Sequence, residues 1–453
     1  MHKNIILSSD SYKYSQPQQY PEGTTHVFSY IESRGGEMPY TVFFGLQYYL
    51  KKYLDHRITM NDVNEAEAVI KAHGLPFYRE GWEYIVREHE GSLPIKIRAV
   101  KEGTVVPTKN VLLTIENIDP KCFWLTSFLE TLIMKIWYPI TVATQSRVMK
   151  ETIAKYLTET ADNLDGLNFK LHDFGYRGVS SEESAAIGGA AHLVNFLGTD
   201  TVAALLMLRR YYGGNIAEGF SIPASEHSTV TSWGRENEGK MFEHMVNIYK
   251  DQPIFACVSD SWNIYEAPAK WGQLKDKLAT NKTMLVVRPD SGNPEEVSVK
   301  TIELLDKEFG STVNSKGYKV LNGVRVIYGD GISNPHVVRD LLSNLKLRGY
   351  SAENMAFGMG GGLLQKVDRD TQKFAMKCSA ACINGEWVDV YKDPITDSGK
   401  KSKRGRLDLV KVDGEYKTIR EGEINLPSEL ETVYEYGNFS NQTIKEIRER
   451  AKL

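Results

Sequence analysis

Hydrophobic and polar positions follow two different rhythms along this chain. Over roughly the first 140 residues, short aromatic or β-branched runs stand among amphipathic stretches in no regular order. Residues 26–31 and 41–44 read as strands. Residues 61–71 read as a helix opened by a capping asparagine, Asn61. Residues 95–100 and 111–116 read as a β-pair, with turns at Lys101-Glu102-Gly103 and Pro107. Residues 123–136 are apolar nearly all round, which predicts a buried helix.

From Thr141 the pattern changes. Helical segments alternate with short, mostly apolar runs, each ending in polar or glycine-rich residues. Residues 169–172 precede Asp173-Phe174-Gly175, and residues 180–196 are rich in small residues and helical in pattern. Residues 253–258 precede Ser259-Asp260-Ser261, and residues 284–287 precede Arg288-Pro289-Asp290-Ser291-Gly292. Residues 324–328 precede Gly329-Asp330-Gly331, and residues 354–357 precede Gly358-Met359-Gly360-Gly361-Gly362. Strands buried on both faces read as unbroken apolar runs, and in parallel barrels functional groups gather at the strands' C-terminal ends. The pattern therefore predicts a parallel α/β barrel over residues 141–379. After about residue 380 the chain reads as basic and loop-like. The run Lys400-Lys401-Ser402-Lys403-Arg404-Gly405-Arg406 carries five positive charges in seven residues. It suits either a solvated loop or a flap over a polyphosphate.

Composition narrows the classes. A chain of 453 residues is long for a single core, so two domains are expected. A formal net charge of -3 gives no general attraction to nucleic acid or to an anionic membrane, so any phosphate site must be a local cluster. The four cysteines, Cys122, Cys257, Cys378 and Cys382, show no CxxC spacing, which argues against a disulfide framework or a structural zinc site. With no apolar leader or membrane-length apolar run in view, a cytoplasmic protein is expected.

The densest chemistry lies in residues 171–181. Phe174 and Tyr176 offer flat faces for an aromatic ring, Arg177 offers forked donors, and Gly175 and Gly178 allow close backbone approach. The glycine-rich tips at Gly329 and at Gly360 and Gly361 can present backbone N–H groups to phosphate, although neither matches a Walker A or dinucleotide fingerprint. Asp290 and Asp330 could bind ribose hydroxyls or hold Mg²⁺ through its waters. Arg288, Arg369, Lys377 and Lys392 supply a cationic field suited to pyrophosphate. The Asp-Phe-Gly triplet is shared with protein kinases, but no His-Arg-Asp loop accompanies it. His227 stands in a small polar loop between Glu226 and Ser228, a setting for a reactive imidazole as well as for a structural one.

Several motifs in one order carry a family resemblance. Residues 172–181, 223–229, 288–294, 329–331 and 360–366, with Asp10-Ser11-Tyr12-Lys13 and residues 392–406, closely resemble the nicotinamide phosphoribosyltransferases of the type II phosphoribosyltransferase family. The likeness runs from about residue 4 to about residue 410. It implies an irregular parallel α/β barrel with a second α+β domain built from both chain ends, residues 1–140 with 380–453. It also implies a homodimer with shared active sites, working in NAD salvage.

The implied reaction joins nicotinamide to phosphoribosyl pyrophosphate with Mg²⁺ as cofactor, coupled to ATP hydrolysis through a phosphohistidine. By the same resemblance, Phe174 and the partner's Tyr12 would sandwich the pyridine ring, while Arg177 and Asp200 would bond its carboxamide. Arg34, Ser221, Ser259, Arg288, Gly329, Gly360, Gly361, Arg369, Lys377, Lys392 and Lys400 would serve the phosphoribosyl, pyrophosphate or ATP groups. His227, Asp290 and Asp330 would be the catalytic set, His227 taking the phosphoryl group, with no direct protein ligand to the metal. Asp200 is expected to select the amide over nicotinate, since a carboxylate facing a second carboxylate is repelled. One departure stands at Asn263, where the family pattern has an acidic residue.

Overall fold

The computed structural model describes residues 4–396 and 401–453. Its contacts divide the chain into two compact units. One takes the chain up to Thr144 with Arg210–Gly214 and Asp368–Lys452; the other takes Gln145–Arg209 and Asn215–Val367.

The second unit is an α/β barrel. Its strands are β1 (Leu171–Asp173), β2 (Gly198–Thr199), β3 (Ile254–Val258), β4 (Met284–Arg288), β5 (Val324–Tyr328) and β6 (Met355–Met359). They hydrogen-bond in the order β2-β1-β6-β5-β4-β3, and every pairing is parallel. An extended segment, residues 220–225, joins the two edges. Phe220 N donates to Leu197 O at 2.7 Å and Thr199 N to Phe220 O at 3.0 Å. At the other edge Ala256 N donates to Pro223 O at 2.8 Å, and Ser225 N to Ala256 O at 3.2 Å. This segment, too short and irregular to count as a strand, closes the sheet and removes both open edges.

Because the strands are parallel, the residues after Asp173, Thr199, Val258, Arg288, Tyr328 and Met359 emerge at one end of the barrel. The apolar runs supply its interior: Phe255, Cys257, Leu285, Val287, Val324, Val326 and Phe357 are buried.

The first unit is α+β. Its seven-stranded antiparallel sheet runs Glu386–Asp389, Phe374–Ile383, Thr24–Ser33, Val111–Asn117, Ile95–Ala99, Glu431–Glu435, Asn438–Phe439, so strands from both chain ends interleave. The predicted pair 95–100 with 111–116 is central to it.

Three local expectations are corrected. The helix expected from Asn61 spans Met60–Ala72 and is capped by Thr59, whose hydroxyl accepts from Asp62 N while the Asp62 carboxylate accepts from Thr59 N at 2.8 Å. The continuous helix expected over 123–136 breaks into Leu125–Phe128, Glu130–Ile133 and a 3-10 turn at Met134–Ile136. Near the break, the Phe128 carbonyl accepts from Ser9 Oγ at 2.7 Å.

The region after residue 380 is largely strand rather than loop, including the hairpin Leu407–Val412 with Glu415–Arg420. Its cations are paired: Lys401 with Asp393, Lys403 with Glu32, Arg404 with Asp389, and Arg406 with Glu116 and Glu421. The Arg406 guanidinium lies 4.8 Å from the Phe28 ring centre and 4.6 Å from that of Trp387. No helix among the described residues is long and apolar enough to cross a membrane.

Candidate active site

The tip of β1 is built around a buried carboxylate. Asp173 accepts from Gly175 N at 2.7 Å and from Thr199 Oγ1 at 3.1 Å, tying the turn after β1 to β2. Burial raises its pKa, with these hydrogen bonds opposing the rise. Phe174 then leaves the strand, its N–H bonded to Met359 O at 3.0 Å.

The Phe174 ring sets its Cδ2–Cε2 edge against two neighbouring strand ends. A Cβ on Gly358 would overlap the ring edge, and one on Gly329 would stand 3.2 Å from it. Glycine at both positions leaves room for the ring itself. The Arg288 guanidinium sits 5.0 Å from the ring centre, and the His172 ring packs at 4.9 Å with a 43° tilt. Arg177 is exposed and bonds no described side chain, so its donors remain open to a ligand.

Asp200 follows β2, with its N–H on Asp173 O at 2.9 Å. Its Oδ1 accepts from His172 Nε2 at 2.7 Å and from Ser221 Oγ at 2.6 Å. Partial burial works against ionisation. The His172 and Ser221 hydrogen bonds and the charge of Arg288 outweigh it and hold the carboxyl below its ordinary value. Asp200 is therefore a fixed carboxylate beside the Phe174 platform.

A second group forms across the tips of β3, β4 and β5. His227 opens the short helix His227–Thr231, and its Nε2 lies 3.0 Å from Asp260 Oδ1. The His227 side chain is 48 % exposed and that of Asp260 only 3 %. Asp260 Oδ2 accepts from Asp290 N at 3.0 Å and from Ser291 Oγ at 2.5 Å. Asp290 in turn takes a bidentate pair from Arg288, at 2.9 Å and 3.0 Å from Nη2.

Asp330 is exposed and bonds no described side chain. The Tyr328 hydroxyl donates to Gly292 O at 2.9 Å. Its pKa is pushed up to about 12, by burial first and then by the charges of Asp330, Asp290 and Asp260, which marks those three carboxylates as one cluster.

The remaining expected residues divide. Gly360 and Gly361 stand at the β6 tip, where nothing lies within 4 Å of a Cβ on Gly361. Ser259 is buried, donating to Cys257 O at 3.0 Å and accepting from Trp271 Nε1 at 3.1 Å, so its hydroxyl serves the barrel wall. Asn263 Oδ1 accepts from Tyr265 N at 3.0 Å and shapes the turn after β3.

Tyr12, Arg34, Arg369, Lys377 and Lys392 all belong to the α+β unit, and Lys400 lies outside the described residues. Burial lowers the Lys377 pKa; Glu130 opposes this, while Arg34, Arg369 and Lys392 add to it, so the four cations form one field. Arg34 Nε and Nη2 are buried without a hydrogen bond among the described residues, the nearest anion being Glu32 Oε1 at 3.5 Å from Nε. Tyr12 is 57 % exposed. Sequence reasoning gave no role to Asp260 or His172. Asp260 had a visible signal, since it stands two residues past an apolar run, the same spacing as Asp330.

Comparison with known proteins adds a second line. The model of the nicotinate phosphoribosyltransferase family matches residues 169–438, and that of the nicotinamide phosphoribosyltransferase N-terminal domain matches residues 4–97. The chain is 52% identical to the nicotinamide phosphoribosyltransferase of Xanthomonas campestris pv. campestris, over 99% of this chain and 98% of that one. It is 30% identical to the protein of the same name from Acinetobacter baylyi, over 99% and 97%. Among solved structures, a nicotinate-nucleotide pyrophosphorylase from Pyrococcus furiosus superposes with TM-score 0.64 at 14% identity, covering 99% of this chain and 94% of that one. Human nicotinic acid phosphoribosyltransferase does so with TM-score 0.60 at 14% identity, over 98% and 93%. The last two likenesses concern the fold alone.

Proposed function

The chain belongs to the nicotinate phosphoribosyltransferase family, and from that premise we propose that it transfers the phosphoribosyl group of phosphoribosyl pyrophosphate to nicotinamide. The products are nicotinamide mononucleotide and pyrophosphate, in the cytoplasmic salvage of NAD. The observation that carries the reading is a flat ring platform beside a fixed, ionised carboxylate at neighbouring strand tips, Phe174 and Asp200. Phe174 stacks on the pyridine ring, Arg177 donates to the carboxamide oxygen, and Asp200 accepts from the carboxamide N–H.

In the transfer, the pyridine nitrogen attacks ribose C1 as the bond to pyrophosphate breaks, through an oxocarbenium-like state. No protein nucleophile takes part. The residues align the ring and stabilise charge moving toward pyrophosphate. Asp290 and Asp330 are oxygen donors on adjacent tips and fit Mg²⁺ held through waters and substrate phosphates, with Asp330 free of described side-chain partners. With Mg²⁺ bound, the charge of the departing pyrophosphate is neutralised. The field of Arg34, Arg369, Lys377 and Lys392, with Tyr12, is assigned to the partner copy's active site in a homodimer.

ATP coupling is assigned to His227. With Nε2–H donating to Asp260, the Nδ1 lone pair is the nucleophile: it attacks the γ-phosphorus, ADP departs, and Asp260 balances the imidazolium charge. The phosphorylated enzyme then favours product formation.

The test is product formation by purified protein with phosphoribosyl pyrophosphate, Mg²⁺ and either nicotinamide or nicotinate, with and without ATP. Mononucleotide from nicotinamide, increased by ATP, is the expected result; turnover of nicotinate instead keeps the chemistry and overturns the specificity. Asp200→Asn is expected to lower the nicotinamide-to-nicotinate ratio of kcat/KM by about tenfold or more, the effect of mispairing one polar group in a partly desolvated pocket. An unchanged ratio would remove Asp200 from base recognition.

A further inference from the structure

We propose that His172 and Ser221 are positioning residues for base recognition, holding Oδ1 of Asp200 from two sides and leaving Oδ2 to accept the carboxamide N–H. The proposal rests on the role given above to Asp200.

The geometry is specific. β2, which ends just before Asp200, has β1 on one side and the closing segment 220–225 on the other. His172 comes from β1 and Ser221 from the closing segment, and both reach the same oxygen, at 2.7 Å and 2.6 Å. A carboxylate can turn about its last bond, so its two oxygens are equivalent until something distinguishes them. Two donors on one oxygen make that distinction. Oδ2 carries no hydrogen bond from a described residue, and an ionised carboxylate can only accept there. It therefore suits an N–H and repels a second carboxylate.

The backbone makes room for this arrangement. His172 is in register with Gly198, and a Cβ on Gly198 would stand 2.8 Å from His172 Nδ1. Only without a side chain at Gly198 can the imidazole edge lie against β2 and aim Nε2 at Asp200. The same imidazole packs against the Phe174 ring, so one side chain supports both the stacking platform and the acceptor.

The other charged or titratable groups around the pair are Arg288 from β4, which favours the carboxylate, and the buried Asp173 of β1. His192, in the helix Glu182–His192, is neutral at working pH because burial lowers its pKa to about 3. With Asp200 held below its ordinary value, amide recognition persists down to low pH and fails as pH falls through that depressed pKa. Removing His172 raises the Asp200 pKa, so the acidic limb must move to higher pH.

The experiment compares wild type, His172→Ala, His172→Gln, Ser221→Ala and Asp200→Asn, in initial rates with nicotinamide and with nicotinate across pH. His172→Ala is expected to lower kcat/KM for nicotinamide by about tenfold or more, chiefly through KM, as expected for loss of a hydrogen bond to a charged group. The nicotinamide-to-nicotinate ratio falls with it, and the acidic limb moves up. His172→Gln, whose amide N–H can take the place of Nε2–H, restores much of the ratio. Ser221→Ala gives a smaller change in the same direction and carries the test alone if the His172 variants fail to fold. If Asp200→Asn lowers the ratio while His172→Ala and Ser221→Ala leave ratio and acidic limb unchanged, the positioning role is overturned. If Asp200→Asn leaves the ratio unchanged as well, the reading of Asp200 has failed first and the proposal falls with it.

Discussion

Replacing Gly358 by alanine is expected to lower kcat/KM for nicotinamide by about two orders of magnitude. The added methyl overlaps the Phe174 ring, and the atom it meets belongs to a short, stiff side chain that cannot yield at its tip. The ring must tilt or lift away from the ends of β5 and β6, carrying the pyridine with it. Misplacing a reacting group by about 1 Å costs on the order of a hundredfold in rate.

The variant also strains the barrel, since overpacking a buried site costs about 1–3 kcal/mol. Three readouts separate the effects. Tm reports the strain. ATP-dependent phosphorylation of His227, which emerges with the closing segment and bonds the β3 tip, should persist. Gly239→Ala, at a helical glycine with nothing within 4 Å of a Cβ, controls for the substitution itself and should leave activity unchanged. If Gly358→Ala keeps kcat/KM within about threefold of wild type, Phe174 is not the base platform.

That prediction marks where the sequence was readable and where it was not. The apolar runs before Asp173, Asp260, Asp290, Asp330 and Gly360 could be read as barrel strands because strands covered on both faces are mostly apolar, even though His172 and Arg325 interrupt two of them. Parallel pairing carries their polar ends to one rim, which is why Phe174, Asp290 and Asp330 were legible as candidates for one site. The closing segment was not legible, because residues 220–225 include Pro223 and make only isolated ladder bonds, so they carry no strand periodicity. Since it carries Ser221 and leads to His227, the partners of both residues remained hidden.

Polar residues spaced far apart in sequence were unreadable for the same reason. His172 is 28 residues from Asp200, and His227 is 33 from Asp260; only barrel closure brings each pair together. The basic run at 401–406 misled through composition, since the carboxylates that neutralise it, Glu32 and Glu116 among them, come from the far end of the chain. The cap of Met60–Ala72 was misread by two residues because Asn61 is also a good capping residue, whereas Thr59 has Asp62 three positions on to complete the box.

His227→Ala is expected to abolish ATP hydrolysis and the ATP-dependent gain in product, while slow synthesis without ATP survives. The reason lies in the separation of the proposed roles: base recognition is assigned to the tips of β1 and β2, whereas among the described residues His227 bonds Asp260 as its titratable partner. Asp260→Asn sharpens the test. The asparagine oxygen can still accept from His227 Nε2, but its NH₂ then faces Asp290 N and Ser291 Oγ, both of which donate to Oδ2 in the wild type. Turning the amide over relieves that clash only by pointing NH₂ at the imidazole, which favours the wrong tautomer and puts the proton on Nδ1, the nitrogen that must attack. Either orientation also removes the charge that balances the imidazolium. Phosphorylation by radiolabelled ATP should therefore fall by about a hundredfold or more in Asp260→Asn, within the range of general acid–base contributions, with nicotinamide KM in the absence of ATP little changed. Full ATP coupling in His227→Ala would overturn the phosphohistidine assignment, and wild-type phosphorylation in Asp260→Asn would show that the carboxylate neither orients nor charges the imidazole.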